Sequence, residues 1–192
     1  METIFSLQKA DQGRMRVREF DDALSKIQNG ESLRSFDFPY FNEQVRPFGI
    51  LNVSCDGDFS TCSPELLGMN LSTYGVFNFG NILGNEFFDV VEAPKFRSAF
   101  EDIHLGIKLC QDSCAYYGYC GGGAPANKYY ENGSFATTET MFCRYSIKLP
   151  LDIVLNDLER TVTELKQACP TSRSAASRST LRKHSGLQSL RY

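Results

Sequence analysis

Four of the seven cysteines fall between Cys110 and Cys143, in the order C-QDS-C-AYYGY-C-GGGAPANKYYENGSFATTETMF-C. Cys110, Cys114 and Cys120 lie within eleven residues, a triple glycine follows at once, and Cys143 arrives after a turn-rich segment. This is a metal-ligand arrangement, and it constrains the fold more than any other stretch of the chain. A four-iron cube needs one outside ligand per iron, and soft, deprotonated sulfur suits it. Cys110, Cys114 and Cys120 supply a tight loop and Cys143 a distant ligand, so the reading is one 4Fe-4S cluster. Gly121, Gly122 and Gly123 allow positive φ and a close backbone approach to sulfide. Their N–H groups can tune a cluster's potential. Tyr116, Tyr117 and Tyr119 offer an apolar wall against water.

Three plainer readings stand beside this one. Cys110-x3-Cys114 is also half of a zinc site, but the other half is spread over twenty-two residues instead of a second close pair, which favours the cluster. Disulfides fit less well. Seven is an odd number, and the opening METIFSLQKADQGRMRVREF has no apolar signal core, so the expected compartment is reducing and cytoplasmic. Buried structural thiols account for one or two cysteines, not for three beside a triple glycine.

The 192 residues fit one domain with extensions, and a 42% hydrophobic content with fifteen phenylalanines is enough for a core. The net charge of −3 argues against DNA or RNA binding by the body, and no apolar run reaches the eighteen or so residues of a membrane span.

Residues 1–14 carry no clear pattern. Val17, Phe20, Leu24 and Ile27 predict an amphipathic helix over Met15–Ile27, ended by Asn29-Gly30. Residues 31–48 read as a bridge. Gly49–Ser54 and Phe59–Cys62 predict two strands joined by an Asp56-Gly57-Asp58 turn, with Cys55 and Cys62 facing each other across it. These two read first as packed thiols, because two thiolates cannot complete a cube. The two aspartates lack the rest of a calcium loop. Ser63-Pro64-Glu65 opens a short helix, and Asn85 caps another over Phe87, Phe88, Val90 and Val91. Pro94 starts a helix through about Leu109, with Phe96, Phe100, Ile103 and Ile107 on one side and His104 on the polar side. That helix delivers Cys110 to the loop. Asn132-Gly133 predicts a hairpin between 128–130 and 134–136. Glu139 reads as a solvated or backbone-binding carboxylate. Leu151, Val154, Leu155, Leu158, Val162 and Leu165 form a helical stripe after Pro150, and Cys169 beyond it reads as free. Residues 170–192 hold five basic residues, no acidic one and many serines, and are expected to be a disordered basic tail.

At the cysteines the chain also resembles a known family. Residues 49–155, carrying GILNVSCDGDFSTCSPELLGM, FGNI and CQDSCAYYGYCGGGAPANKYYENGSFATTETMFCRY, are similar to the SPASM domain. This is the auxiliary-cluster domain of radical S-adenosylmethionine (radical SAM) enzymes that modify peptides. The likeness is strongest to the cyclophane-forming group acting on glycine-rich precursors. It implies an α+β fold, with short hairpins and helices around an iron–sulfur loop and amphipathic helices on either side. It implies four segments: 1–48, a helix and bridge left from the barrel connection; 49–155, the cluster domain; 156–169, the end of a helix; and the tail. It also implies Cys110, Cys114, Cys120 and Cys143 as the ligands of one auxiliary cluster. A second cluster in such domains would use Cys55, Cys62, a cysteine before Gly80-Asn81-Ile82 and one four residues after Cys120. No cysteine lies between Cys62 and Asn81, and Ala124 holds the last position. Cys55 and Cys62 are then a possible remnant, and one cluster is expected, not two.

Radical SAM chemistry needs C-x3-C-x2-C, with three thiolates leaving one iron for the cofactor. Cys110-x3-Cys114 continues with x5, and nothing else in the chain matches. This chain alone is therefore expected neither to bind S-adenosylmethionine nor to be a complete enzyme. It reads as the C-terminal portion or split partner of a peptide-modifying radical enzyme, relaying electrons or bracing a substrate channel. Its expected partners are a radical SAM barrel and a small glycine-rich precursor peptide. The alternative is a non-enzymatic or degenerate iron–sulfur or zinc module.

Overall fold

The computed structural model describes residues 1–11, 14–29, 42–84 and 89–168. These fold as α+β, with six α-helices and two small antiparallel sheets among the described residues. Two compact units are distinguished, 1–155 and 156–192.

Residues 1–14 hold more structure than their pattern suggests. Helix α1 (Glu2–Ala10) pairs with α2 (Arg18–Gln28) through the Phe5 and Phe20 rings, 4.8 Å apart, and the Gln8 side chain. Gln8 Nε2 donates to Asp21, and Gln8 Oε1 accepts from the Val17 N–H at the start of α2. A glutamine of α1 thus engages the N-terminal end of α2, where α2 has no side-chain cap of its own.

The expected hairpin forms from β1 (Leu51–Val53) and β2 (Asp58–Thr61), and β5 (Gly80–Asn81) adds to the other edge of β2. Asp56 and Asp58 serve the turn. The Asn81 amide donates to the Asp56 carbonyl and to Asp58, and Gly57 takes φ +85° over it. A second pair, β3 (Asn70–Leu71) and β4 (Gly75–Val76), closes a short loop. Ser63-Pro64-Glu65 opens a 3-10 turn, Pro64–Leu66, as the sequence indicates. Val90 and Val91 lie in another such turn, Asp89–Glu92; Asn85, Phe87 and Phe88 lie outside the described residues.

Helix α3 (Pro94–Ser113) is the beam of the larger unit. Pro94 at its first turn loses no needed N–H. Its buried face runs Phe96, Ala99, Phe100, Ile103, Gly106, Ile107 and Cys110, a clean helical stripe. Phe59, Leu66, Leu71, Phe77 and Phe135 close over that stripe, each at most 2% exposed. Burying each such side chain stabilises by roughly 1.5–3 kcal/mol. The helix runs four residues past the expected end at Leu109, so Cys110 belongs to the helix face and not to a loop.

The predicted hairpin around Asn132-Gly133 does not form. Residues Pro125–Asn132 make helix α5 after the short α4 (Tyr117–Cys120). Pro125 starts it, and Gly133 at φ +76° ends it, its N–H bonded to Tyr129 O at 2.8 Å. The Asn-Gly pair acts as a helix stop because a proline-led helix precedes it, where two strands would have made it a hairpin turn.

A π-helical turn, Cys143–Lys148, leads into α6 (Leu149–Ala168), and the Leu149 N–H reaches back five residues to Arg144 O. Leu151, Ile153 and Val154 are buried. Residues 156–168, the described part of the second unit, are the later turns of α6. They carry an Arg160–Asp157 ion pair, and Val162 and Leu165 are exposed. Cys169 and the basic tail lie outside the described residues. Among the described residues no helix is long and apolar enough to cross a membrane.

Candidate metal centre

The four cysteines of the motif line one cavity of about 520 Å³. They come from three local structures. Cys110 sits on the buried stripe of α3. Cys114 is one turn further on, at the helix end; its backbone turns extended, and its N–H bonds to Cys110 O at 2.9 Å. The three-residue spacing is thus a single helical turn that stacks two sulfurs on one side. Cys120 ends α4. Cys143 opens the π-helical turn, with its N–H on Thr140 Oγ1 at 3.0 Å.

The glycines do what their sequence suggests. Gly121, Gly122 and Gly123 all have positive φ, at 61°, 96° and 76°. At Gly122 a Cβ would also meet Ile107 at 3.1 Å. The Gly123 N–H donates to the Cys120 carbonyl at 3.4 Å, and the Gly122 and Gly123 N–H groups act on the Cys120 thiol. Burial raises the Cys120 thiol, the neighbouring Cys110 and Cys114 raise it further, and these two N–H groups work the other way. Burial likewise pushes Cys143 up to about 11, helped by Cys120 and Cys114 and opposed by Lys148. The thiols lie close enough to feel one another's charge, which disfavours their joint deprotonation.

Two residues that the sequence did not single out complete the shell. Asn42 donates its amide to the carbonyls of Cys120 and Gly123, at 3.1 and 3.0 Å, fastening the glycine loop from 78 residues away. Lys128, on α5, is 4% exposed. Its Nζ donates to Gly106 O at 2.9 Å and stands 3.5 Å from Cys110 Sγ. The tyrosines divide. Tyr116 lines the cavity and donates to Asp152 at 2.8 Å, under the Lys148 ammonium, 5.3 Å from its ring centre. Tyr117 packs against the core, and Tyr119 lines a neighbouring crevice. Glu139 is a solvated carboxylate, as the sequence suggests, and it pairs with Arg144 and Lys148, at 3.1 and 2.9 Å. His104 is half-buried on α3, edge-on to Phe100, and lines no part of the cavity.

Cys55 and Cys62 do not face each other. Leu51 pairs with Thr61 and Val53 with Phe59, which puts Cys62 at the open end of the hairpin and Cys55 at its turn. At about 3.4 Å per residue they are roughly 17 Å apart along the strands. Cys62 is fully buried and pushed up to about 12 by that burial, whereas Cys55 is exposed. Neither lines the cavity.

Among the described residues, no three Cys, His, Asp or Glu side chains stand close enough to share a single metal ion. The four cysteines line the cavity wall. A tetrahedral zinc would draw all four to about 2.3 Å from one point, whereas a cube of irons holds its outer thiolates apart. All four donors on the cavity wall are sulfur, a set that suits an iron–sulfur group and also zinc.

The chain is similar to the uncharacterized protein sll1766 of Synechocystis sp., 36% identical over 162 residues. The match takes in 84% of this chain but 39% of that protein, so the chain spans well under half the length of the relative. No protein-family model and no solved structure matches it.

Proposed function

We propose that this chain is an iron–sulfur module that holds one 4Fe-4S cluster on Cys110, Cys114, Cys120 and Cys143, in the manner of a SPASM domain. The observation that carries the reading is that four cysteines, from three separate local structures, line one cavity backed by a left-handed glycine loop. Once bound, the cluster supplies one-electron exchange. The chain's own residues do the rest: α3 and α4 fix three sulfurs, the π-helical turn brings the fourth, and Asn42 pins the loop. Four protein ligands leave no iron open to substrate, so the module serves a peptide-modifying radical enzyme as electron relay or channel support, working in the cytoplasm. The barrel with its own C-x3-C-x2-C cluster comes from other sequence, consistent with a relative more than twice as long. The substrate of the whole assembly is a small glycine-rich precursor peptide.

Anaerobic reconstitution with iron and sulfide tests the cluster. The expected product is brown, holds iron and sulfide in equal amounts and bleaches with dithionite. Protein that instead takes up zinc and shows no iron-dependent visible absorbance refutes the assignment. Co-purification with a barrel protein and a peptide substrate tests the wider reading.

A further inference from the structure

We infer that Lys128 is a positioning residue of the sulfur site, donating an N–H to the Cys110 sulfur and so raising the reduction potential of a cluster held there. The inference rests on the reading of the four cysteines as cluster ligands and names what regulates that cluster.

A lysine is almost never fully buried unless it is paired. Lys128 is 4% exposed, and among the described residues no carboxylate bridges to it. Its partners are a helix carbonyl, Gly106 O, and a sulfur, Cys110 Sγ, one turn apart on α3. The carbonyl takes one of its three donors and the sulfur a second.

The seat for this ammonium is built into α3. A Cβ at Gly106 would meet Phe135 O at 2.1 Å and Lys128 Nζ at 3.0 Å. Glycine inside a helix costs about 1 kcal/mol relative to alanine. Here packing overrides that preference, and the bare backbone lets both Phe135 and the ammonium come close. The other two lysines on the cavity wall differ. Lys148 is spoken for by Glu139, and Lys26 comes from the half-exposed face of α2. Lys128 alone among them has a sulfur within reach of its Nζ among the described contacts.

Burial opposes the Lys128 charge, and Cys110, Cys120 and Cys143 favour it. Hydrogen bonds to ligand sulfur and nearby charge set a cluster's potential. A donor stabilises the reduced, more negative state more than the oxidised one, so its removal lowers the potential.

The test uses the full chain, reconstituted anaerobically, with dithionite titration followed by electron paramagnetic resonance. Lys128→Met is expected to keep its iron and reduce at lower potential than wild type, with Lys128→Arg recovering part of the shift. A loaded Lys128→Met with an unchanged midpoint overturns the inference. Should Lys128→Met fail to fold, wild-type protein labelled with 15N at lysine decides the matter. Its reduced cluster is expected to show a lysine nitrogen coupling that persists in Lys148→Met. Loaded protein with no such coupling overturns this inference alone. Wild type that takes up no iron overturns the cluster reading, and this inference with it.

Discussion

The Lys128 ammonium bridges Gly106 O and Cys110 Sγ, tying α5 to two successive turns of α3. A single side chain thereby links the hydrophobic stripe of the long helix to the sulfur at its end.

Gly106→Ala is expected to destabilise the protein. Alanine gains about 1 kcal/mol in helix preference, but its Cβ would meet the Phe135 carbonyl at 2.1 Å, and backbone does not yield as a flexible side chain does. Overpacking of this kind costs typically 1–3 kcal/mol, so the net sign is loss. Urea unfolding should show a lower midpoint at unchanged slope; a midpoint at or above wild type would contradict the packing described.

The four cysteines of the cavity should behave alike and apart from the rest. Cys114→Ala and Cys120→Ala are each expected to lose most of the iron after reconstitution, while Cys55→Ala and Cys169→Ala retain it. Iron and sulfide per chain are the readout. Equal losses in all four variants would remove the ligand assignment.

Alkylation separates the two hairpin cysteines. Cys62 is buried and raised to about 12, so it presents almost no thiolate at pH 8. Cys55 is exposed at the turn. Iodoacetamide followed by peptide mapping should modify Cys55 in the folded protein and Cys62 only after unfolding. Similar rates at both would mean that the β2 end opens readily.

Glu139 makes a small acid-dependent contribution. Hydrogen bonds from Arg144 and then Lys148 hold its carboxyl below the ordinary 4.5, at about 2. A lowered folded value gives stability that is present above pH 4.5 and lost as pH falls toward 2. The group is open to solvent, so the effect is under about 1 kcal/mol. The melting temperature of wild type should fall more steeply than that of Glu139→Gln across that window. Parallel curves would show that the pairs add nothing.

The parts of this structure that were legible beforehand are those written in local spacing. The stripe from Phe96 to Ile107 announces α3, and the alternation about Asp56-Gly57-Asp58 announces the β1–β2 hairpin. The cysteine spacing points to one shared region, and the four cysteines do line one cavity. The opposite ends taken by Cys55 and Cys62 follow from strand register, which the turn alone did not reveal. Reading Asn132-Gly133 as a hairpin hid α5, and with it Lys128, since a lysine on a strand arm looks solvated. On a helix begun by Pro125, the same lysine falls on the face that turns inward with Pro125 and Ala126. Asn42 gave no local signal at all, because its partners lie 78 and 81 positions further along the chain.

The wide turn at Cys143–Lys148 acts as a phase adjuster. An α-helix advances about 100° per residue, and a π turn absorbs one surplus residue without breaking the rod. Deleting one residue between Arg144 and Ile147 would rewind this stretch as ordinary helix and swing the Cys143 side chain off the cavity wall, while Leu151 and Val154 kept their seats. The angular setting of the fourth sulfur is thus independent of the helix that anchors it.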